Sequence, residues 1–300
     1  MALSAEFQRH IEAAIAANDD VAREILESHK RAIEADEAAE KFIQLSVVDS
    51  TQAAPKESND VETPEEEILV PVTKLTVETF RDRLTEDLKS IGREINLPEP
   101  SPEIVEVYNI LAGEGYEVVP IAYVDGRKKE VRIGVFETVA RPDYTDGSQM
   151  YYSGGRDPLA GILTRGRTET PEIPQRIAHP YRNVPLDSRF AVSWDEIHNY
   201  VIPEAIQTTS HLAEQLTKGG ISFDIPNRDD FRSAGKRHED QLVANSWEWV
   251  LDDARFGSRR LVGYRGRGGL EAVDVWPSGH HGDDVGFRVQ AVSHSQELPR

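Results

Sequence analysis

The sequence predicts an α+β protein in which helices and antiparallel strands follow one another along the chain. Three segments carry this prediction: an amphipathic helix within 76–95, a β-hairpin within 115–139 and a capped helix that begins after Ser193. Apolar residues recur every three to four positions in the helices and alternate with polar residues in the hairpin. With 300 residues and 38% hydrophobic content, the chain is long enough to bury a core.

The first segment has the pattern of a helix with one buried face. Thr76 suits the N-cap because its hydroxyl can accept a backbone N–H of the first turn, and Pro98 cannot continue a helix. The apolar positions on the expected buried face are Phe80, Leu84, Leu88, Ile91 and Ile95.

The second segment, GYEVVPIAYVDGRKKEVRIGVFETV at 115–139, alternates apolar and polar residues on both sides of Asp125-Gly126. Asp-Gly favours a tight turn because it readily adopts positive φ values. We therefore expect two antiparallel strands joined at this dipeptide. The hairpin either extends the sheet of the C-terminal region or forms a separate docking domain.

The third segment begins with a capping box, in which Ser193 and Glu196 would satisfy each other's backbone N–H groups. Before it, residues 140–185 are rich in Gly, Pro, Arg and Tyr, and we expect long loops with short strands there. The apolar positions of the capped helix and of a second helical stretch are Trp194, Ile197, Val201, Leu212 and Leu216.

Residues 1–70 predict an acidic extension, since they hold 6 Lys and Arg against 17 Asp and Glu. A thin apolar stripe at 3–43 predicts helix that packs against a second copy or another subunit, whereas 50–67 has the composition of a flexible linker. The expected organisation is an acidic helical segment for docking or oligomerisation at 1–45, a flexible acidic linker at 46–70, an α+β region at 71–170 and a further domain at 171–300.

Composition excludes several classes of protein. The net charge of −19 argues against a nucleic-acid partner, because phosphate binding requires a cationic face. The absence of cysteine excludes disulfides, thiolate metal sites and cysteine nucleophiles. No stretch approaches the roughly 20 apolar residues of a membrane span, and the N-terminus lacks the pattern of a secretory signal, so a cytoplasmic origin is expected.

Four motifs follow in order near the C-terminus: FDIPNRDDFRSA at 223–234, NSWEWVLDD at 245–253, RRLVGYRG at 259–266 and VGFRVQ at 285–290. Their order and spacing resemble the formylglycine-generating-enzyme (sulfatase-modifying factor) family over roughly 185–292. The matching positions are Pro226, Phe231, Ala234, Asn245, Trp247, Glu248, Trp249, Gly286, Phe287 and Arg288. The resemblance implies that the 171–300 domain has a C-type-lectin-like fold.

The same resemblance implies a member that does not carry the family's chemistry. The sulfatase-modifying enzymes use a pair of cysteines, and this chain has none. Related ergothioneine-pathway enzymes carry a His-x3-His-x-Glu pattern, which is also missing from the sequence. What remains is the fold used for binding, as in lectin-like receptor-binding and virion proteins of phages.

Within the motifs, alternation along a strand places Trp247 and Trp249 on one face and Glu248 on the other. We interpret the tryptophans as anchors of the core, together with Phe287. Arg288 is the expected partner of Glu248, because a bidentate pair between them would hold the last strand.

Ligand-binding candidates follow the second motif. Arginines in this stretch could receive an anionic glycan, a phosphate or an acidic protein surface, or they could satisfy local loop carbonyls and carboxylates. Asp283 and Asp284 are weak candidates for calcium; no other cofactor is expected. The candidate ligand-binding residues are Arg259, Arg260, Tyr264, Arg265, Arg267, Trp276, His280 and His281.

The resulting hypothesis is a non-enzymatic structural and binding protein with no catalytic constellation. The expected setting is a virus particle assembled in the host cytoplasm, in which a head-decoration, fibre or tail protein docks on other virion or assembly proteins through 1–45. The C-terminal domain would bind a host-surface glycan or protein, and the expected state is a homo-oligomer, with a trimer as the candidate. The alternatives are a cytoplasmic enzyme or regulatory protein with a pocket lined by Trp276, His280 and Arg265, and an assembly factor.

Overall fold

The computed structural model describes residues 74–139, 149–152, 156–168, 176–178 and 184–298. All of them lie within one compact unit, Leu69–Arg300. The expected acidic helical segment at 1–45 and linker at 46–70 lie outside the described residues. The described residues confirm the predicted α+β class, with helices and curled antiparallel and mixed sheets. No helix among them is long and apolar enough to cross a membrane.

Seven α-helices occur among the described residues. They are α1 (Val77–Ser90), α2 (Pro102–Gly113), α3 (Ala160–Arg167), α4 (Trp194–Glu196), α5 (Ile202–Thr208), α6 (Leu212–Gly219) and α7 (Arg228–Leu242). A π-helical segment, Ile197–Val201, joins α4 to α5. Short 3-10 turns occur at Arg265–Arg267 and Gly269–Glu271. Helix α3 lies where the sequence predicts only loops and short strands. The helix was missed because its two glycines and two arginines leave only Ile162 and Leu163 as a short apolar pattern.

Helix α1 begins as the sequence predicts, since the Thr76 hydroxyl accepts the N–H of Thr79 at 3.2 Å. Its buried residues Phe80, Leu84 and Leu88 are those expected. The expected continuation to Ile95 is wrong, because Gly92 has φ +68° and turns the chain out of the helix. The N–H groups of Gly92 and Arg93 close that turn on the carbonyls of Lys89 and Leu88.

The strands are β1 (Val118–Asp125), β2 (Glu130–Glu137), β3 (Ile221–Asp224), β4 (Trp247–Asp253), β5 (Ser258–Val262), β6 (Val273–Pro277), β7 (Val285–Gly286), β8 (Gln290–Ser293) and β9 (Gln296–Glu297). The first sheet has the order β1-β2-β8-β3, with β9 also paired to β2. The second sheet has the order β6-β5-β4-β7, in which only the β4–β7 pair is parallel among the described strands.

The predicted hairpin is present as β1 and β2, but its turn differs from the expected Asp-Gly turn. Asp125 pairs with Glu130, so residues 126–129 form the turn. Positive φ occurs at Lys129 rather than at the dipeptide. The Asp125 carboxylate accepts the N–H groups of Arg127 and Lys128 at 3.0 and 3.2 Å, which fixes the start of the longer turn.

The hairpin belongs to the same sheet as the C-terminal strands, because β2 pairs with β8. The hairpin therefore extends the sheet that contains the C-terminal strand β8, which is the first of the two arrangements expected for it. One face of this sheet, with Ala122 and Val135, packs against α1 and α2. The other, with Phe136, packs against α7 and the second sheet.

Candidate functional site

The tryptophans of the NSWEWVLDD motif lie in the core, on the face of β4 that the sequence predicts. Trp249 is fully buried and its Nε1 donates to the carbonyl oxygen of Val192 at 2.9 Å. Trp247 is 5% exposed and packs at 5.2 Å from the ring of Tyr264, one of the predicted ligand-binding residues. Both indoles therefore act as anchors between β4 and neighbouring loops.

Glu248 points to the opposite face and forms the predicted pair with Arg288. Arg288 Nε and Nη2 donate to the two carboxylate oxygens of Glu248 at 2.8 and 2.7 Å. Arg288 Nη1 also donates to the carbonyl oxygen of Glu137 at 2.9 Å. All three residues are fully buried, so one guanidinium joins the end of β2 to β4 and to the chain after β7.

A second buried arginine, which the sequence did not reveal, lies beside this pair. Arg189 donates to both oxygens of Glu137, at 2.6 and 2.9 Å, and to the carboxylate of Asp157. Burial acts to lower the pKa of Arg189, but the two carboxylates outweigh it and raise the pKa well above its usual value. Tyr152 completes the cluster by donating its hydroxyl proton to Glu137 at 2.6 Å.

Gly286 of the VGFRVQ motif is also explained by this packing. A Cβ at Gly286 would lie 2.6 Å from the Tyr151 hydroxyl, closer than any side chain tolerates. Phe287 beside it is fully buried, with the Arg189 guanidinium 5.6 Å from its ring centre. The motif residues therefore form a rigid interior, and binding has to be sought at the surface.

A surface formed by Trp194, His198, Arg259, Trp276 and His280 has the residue types of a binding site; we call it the Trp-His surface. The rings of Trp194 and His198 stack with 3.7 Å between their centres. The guanidinium carbon of Arg259 lies 3.8 Å from the centre of the Trp194 ring. Trp276, the cross-strand partner of Arg259 on β6, lies 3.9 Å from the ring of His280.

Polar groups in the Trp-His surface are only partly satisfied. Arg259 forms an ion pair with Asp253, and His198 Nε2 lies 3.3 Å from Asp224. The Nε of Arg259 and the Nδ1 of His198 are buried and have no hydrogen-bond partner among the described residues. A buried donor or acceptor without a partner lowers stability, and a few polar groups set among aromatic rings are typical of ligand-binding sites.

The loop that carries His280 is fastened to the start of α4. Ser278 Oγ donates to Asp195 at 2.9 Å, and His281 Nε2 lies 2.8 Å from a carboxylate oxygen of Glu196. Burial acts to raise the pKa of Glu196, but hydrogen bonds from His281 and from the backbone N–H groups of Ser193 and Ala178 outweigh it, so the net pKa is lowered. The same Glu196 forms the predicted capping box with Ser193.

The predicted candidates divide between the two ends of β5. Arg259, Trp276, His280 and His281 lie at one end, whereas Tyr264, Arg265 and Arg267 follow the other, about 13 Å away along the strand. Arg265 donates to the carbonyl oxygen of Val243 at 2.6 Å, and Arg260 to that of Asp253 at 3.4 Å. The pocket expected from Trp276, His280 and Arg265 together is therefore not formed.

The weak calcium candidates gain no support from their surroundings. Asp283 and Asp284 accept hydrogen bonds through their backbone carbonyls, from the Gln149 side chain and from the Trp247 N–H. Among the residues that the structure describes, no group of three or more His, Asp or Glu side chains could hold a metal ion together.

Sequence reasoning named three of the five residues of the Trp-His surface as binding candidates, Arg259, Trp276 and His280, and missed Trp194 and His198. Trp194 and His198 lie four residues apart, so they face the same side of the helical run that starts at α4. This spacing could have indicated that Trp194 and His198 share a surface. The apolar residues around them instead favoured a purely structural role for this helix. Comparison of the chain with protein-family models, with curated proteins and with solved structures finds no match.

Proposed function

We propose that the chain is a non-enzymatic binding protein of C-type-lectin-like fold, and that it recognises a glycan through the Trp-His surface. The observation that carries the proposal is the layered contact of Arg259, Trp194 and His198 next to the partly exposed Trp276. An indole offers a flat apolar face together with an N–H donor, and a guanidinium offers several donors. These groups suit a sugar ring, which has an apolar face and a rim of hydroxyls.

The lectin-like fold is proposed from the motifs and supported by their packing. Phe231, Trp249 and Phe287 come from three different motifs, and each is fully buried. The Glu248–Arg288 pair joins two of the motifs directly. A rigid interior of this kind fixes the loops at its surface, which reduces the entropy lost when a ligand binds.

The biological setting that we propose is a virus particle. The chain would be a head-decoration, fibre or tail protein that docks or trimerises through 1–45 and binds the host surface with its C-terminal region. The support is the resemblance to phage lectin-like proteins, which is an analogy of fold, together with the acidic extension of residues 1–70.

The test is binding of the full chain to an array of immobilised neutral and carboxylate-bearing glycans. We expect Trp276→Ala to weaken binding by at least about tenfold, which corresponds to about 1.4 kcal/mol, because the exposed indole face is lost. The matched control is Val275→Ala, a neighbour on β6 that is 49% exposed and points to the opposite face. Circular dichroism checks that both variants remain folded.

Two outcomes would contradict the proposal. Equal affinities for the Trp276→Ala and Val275→Ala variants would show that a bound glycan uses another surface. Binding to none of the glycans would exclude a glycan as the ligand.

A further inference from the structure

A cavity of about 270 Å³ shares no residue with the Trp-His surface. It lies between the C-terminal end of α1, the strand β1 and one face of α7. The residues that α7 contributes, from Asp229 to Arg237, recur at helical spacing and therefore share that face.

Positive charge dominates the lining of the cavity. Arg93, Arg232, Lys236 and Arg237 line it, against the single carboxylate of Asp229. Arg232 is paired with Glu271, but neither Arg93 nor Lys236 forms an ion pair with another described residue. In a chain with a net charge of −19, this local excess of cations favours an anionic occupant.

Arg237 forms a fixed part of the cavity wall. Its side chain is only 2% exposed, and it is paired with Asp87. Its Nη2 donates to the carbonyl oxygen of Ala122 at 2.9 Å and to the Ser233 hydroxyl at 3.0 Å. Its Nε is buried and has no hydrogen-bond partner among the described residues. Protein groups therefore hold this side chain through its two terminal nitrogens.

The strand β1 contributes backbone donors to the same space, because it is the outer strand of the first sheet. The Ala122 carbonyl is directed towards Arg237, and therefore away from β2. Since backbone groups of alternate residues in a strand point the same way, the N–H groups of Ala122 and Val124 also face away from β2. Apolar side chains of Leu88 and Ile91 cover another part of the wall.

We propose that this cavity binds a small organic anion with a carboxylate or phosphate head and a short apolar tail. The head would contact Lys236 and Arg93, and the tail would lie against Leu88 and Ile91. A volume of about 270 Å³ suits a ligand of this size. The site is independent of the proposed glycan surface, so either can fail without the other.

The experiment is isothermal titration of the full chain with hexanoate, hexyl phosphate and hexanol. Hexanol has the same tail without the charge, and we expect it to bind at least about tenfold more weakly than the better of the two anions. We expect Lys236→Ala and Arg93→Ala each to weaken anion binding about tenfold. Arg81→Ala, which removes an exposed cation of α1 that does not line the cavity, is expected to change nothing.

The comparison of hexanoate with hexyl phosphate identifies the preferred head group. Equal binding of hexanol and the anions would overturn the proposal, as would equal affinities for the Lys236→Ala and Arg81→Ala variants. Failure of both anions to bind at about 10 mM would overturn it as well, since that corresponds to less than about 3 kcal/mol.

Discussion

Arg189 and Arg288 are charged residues with no exposed surface, and the structure depends on how they are paired. A buried guanidinium is tolerated only when carboxylates and carbonyls replace its lost hydration. Glu137 contributes to both, since its carboxylate accepts from Arg189 and its backbone carbonyl accepts from Arg288. The two arginines thereby join residues that lie far apart in the sequence.

Replacing Arg288 by Met is expected to lower the free energy of unfolding by about 3–5 kcal/mol, because Glu248 would remain buried without a partner. Urea unfolding of the full chain measures the change. The control is Arg165→Ala, which removes the exposed ion pair with Glu204 and is expected to cost about 1 kcal/mol or less. Equal losses in the two variants would show that the Arg288 pair is not an essential buried contact.

Only part of this residue-scale picture could be predicted. The Glu248–Arg288 pair could be predicted, because alternation along the strand turns Glu248 away from the two tryptophans and an arginine can pair with both oxygens of a carboxylate. Arg189, Glu137 and Asp157 lie in no shared motif and have no periodic relation, so their contact depends on tertiary packing alone. His198 was missed for a different reason: its stacking on Trp194 needs only local helical spacing, but that spacing also fits an ordinary helix face.

At the scale of single elements, sequence patterns placed the starts of helices better than their ends. The caps at Thr76 and Ser193 depend on one hydroxyl and the backbone beside it, so they can be recognised locally. The end of α1 could not be recognised from apolar spacing, because Ile91 and Ile95 remain partly buried after the chain has left the helix. The helix ends because Gly92 has a positive φ, which the spacing of apolar residues does not indicate.

Replacing Gly92 by Ala is expected to lower the free energy of unfolding by about 1–2 kcal/mol, because an L side chain is strained at φ +68°. The matched control is Gly113→Ala, at the end of α2. Neither glycine has an atom within 4 Å of an added Cβ, so steric clash does not enter the comparison. Gly113→Ala is expected to be neutral or to stabilise by up to about 1 kcal/mol. Thermal unfolding measures the stability of both variants. If Gly113→Ala lowered the free energy of unfolding as much as Gly92→Ala, the backbone strain assigned to position 92 would be contradicted.

At the scale of the whole molecule, the pairing of β2 with β8 joins residues 115–139 to the C-terminal strands. Alternation predicted the hairpin itself, but the choice of its neighbour strand depends on contacts more than 150 positions apart. The α+β class was predictable because it requires only the local patterns of each element.

We expect the whole molecule to self-assemble through its acidic N-terminal extension. Light scattering after gel filtration is expected to give a symmetric oligomer for the full chain, with a mass about three times that of one chain for a trimer. A chain that starts at Leu69, the first residue of the compact unit, is expected to be a monomer. A monomer in both cases would contradict self-assembly through residues 1–45.

Ligand binding at the Trp-His surface would protect the backbone of the segments that form this surface. Hydrogen exchange of the full chain, with and without the glycan that binds most tightly on the array, tests it directly. We expect slower exchange in the segments 193–198, 258–260 and 276–281 when the glycan is bound. Slower exchange only elsewhere, for example along 88–93 and 229–237 around the basic cavity, would contradict it.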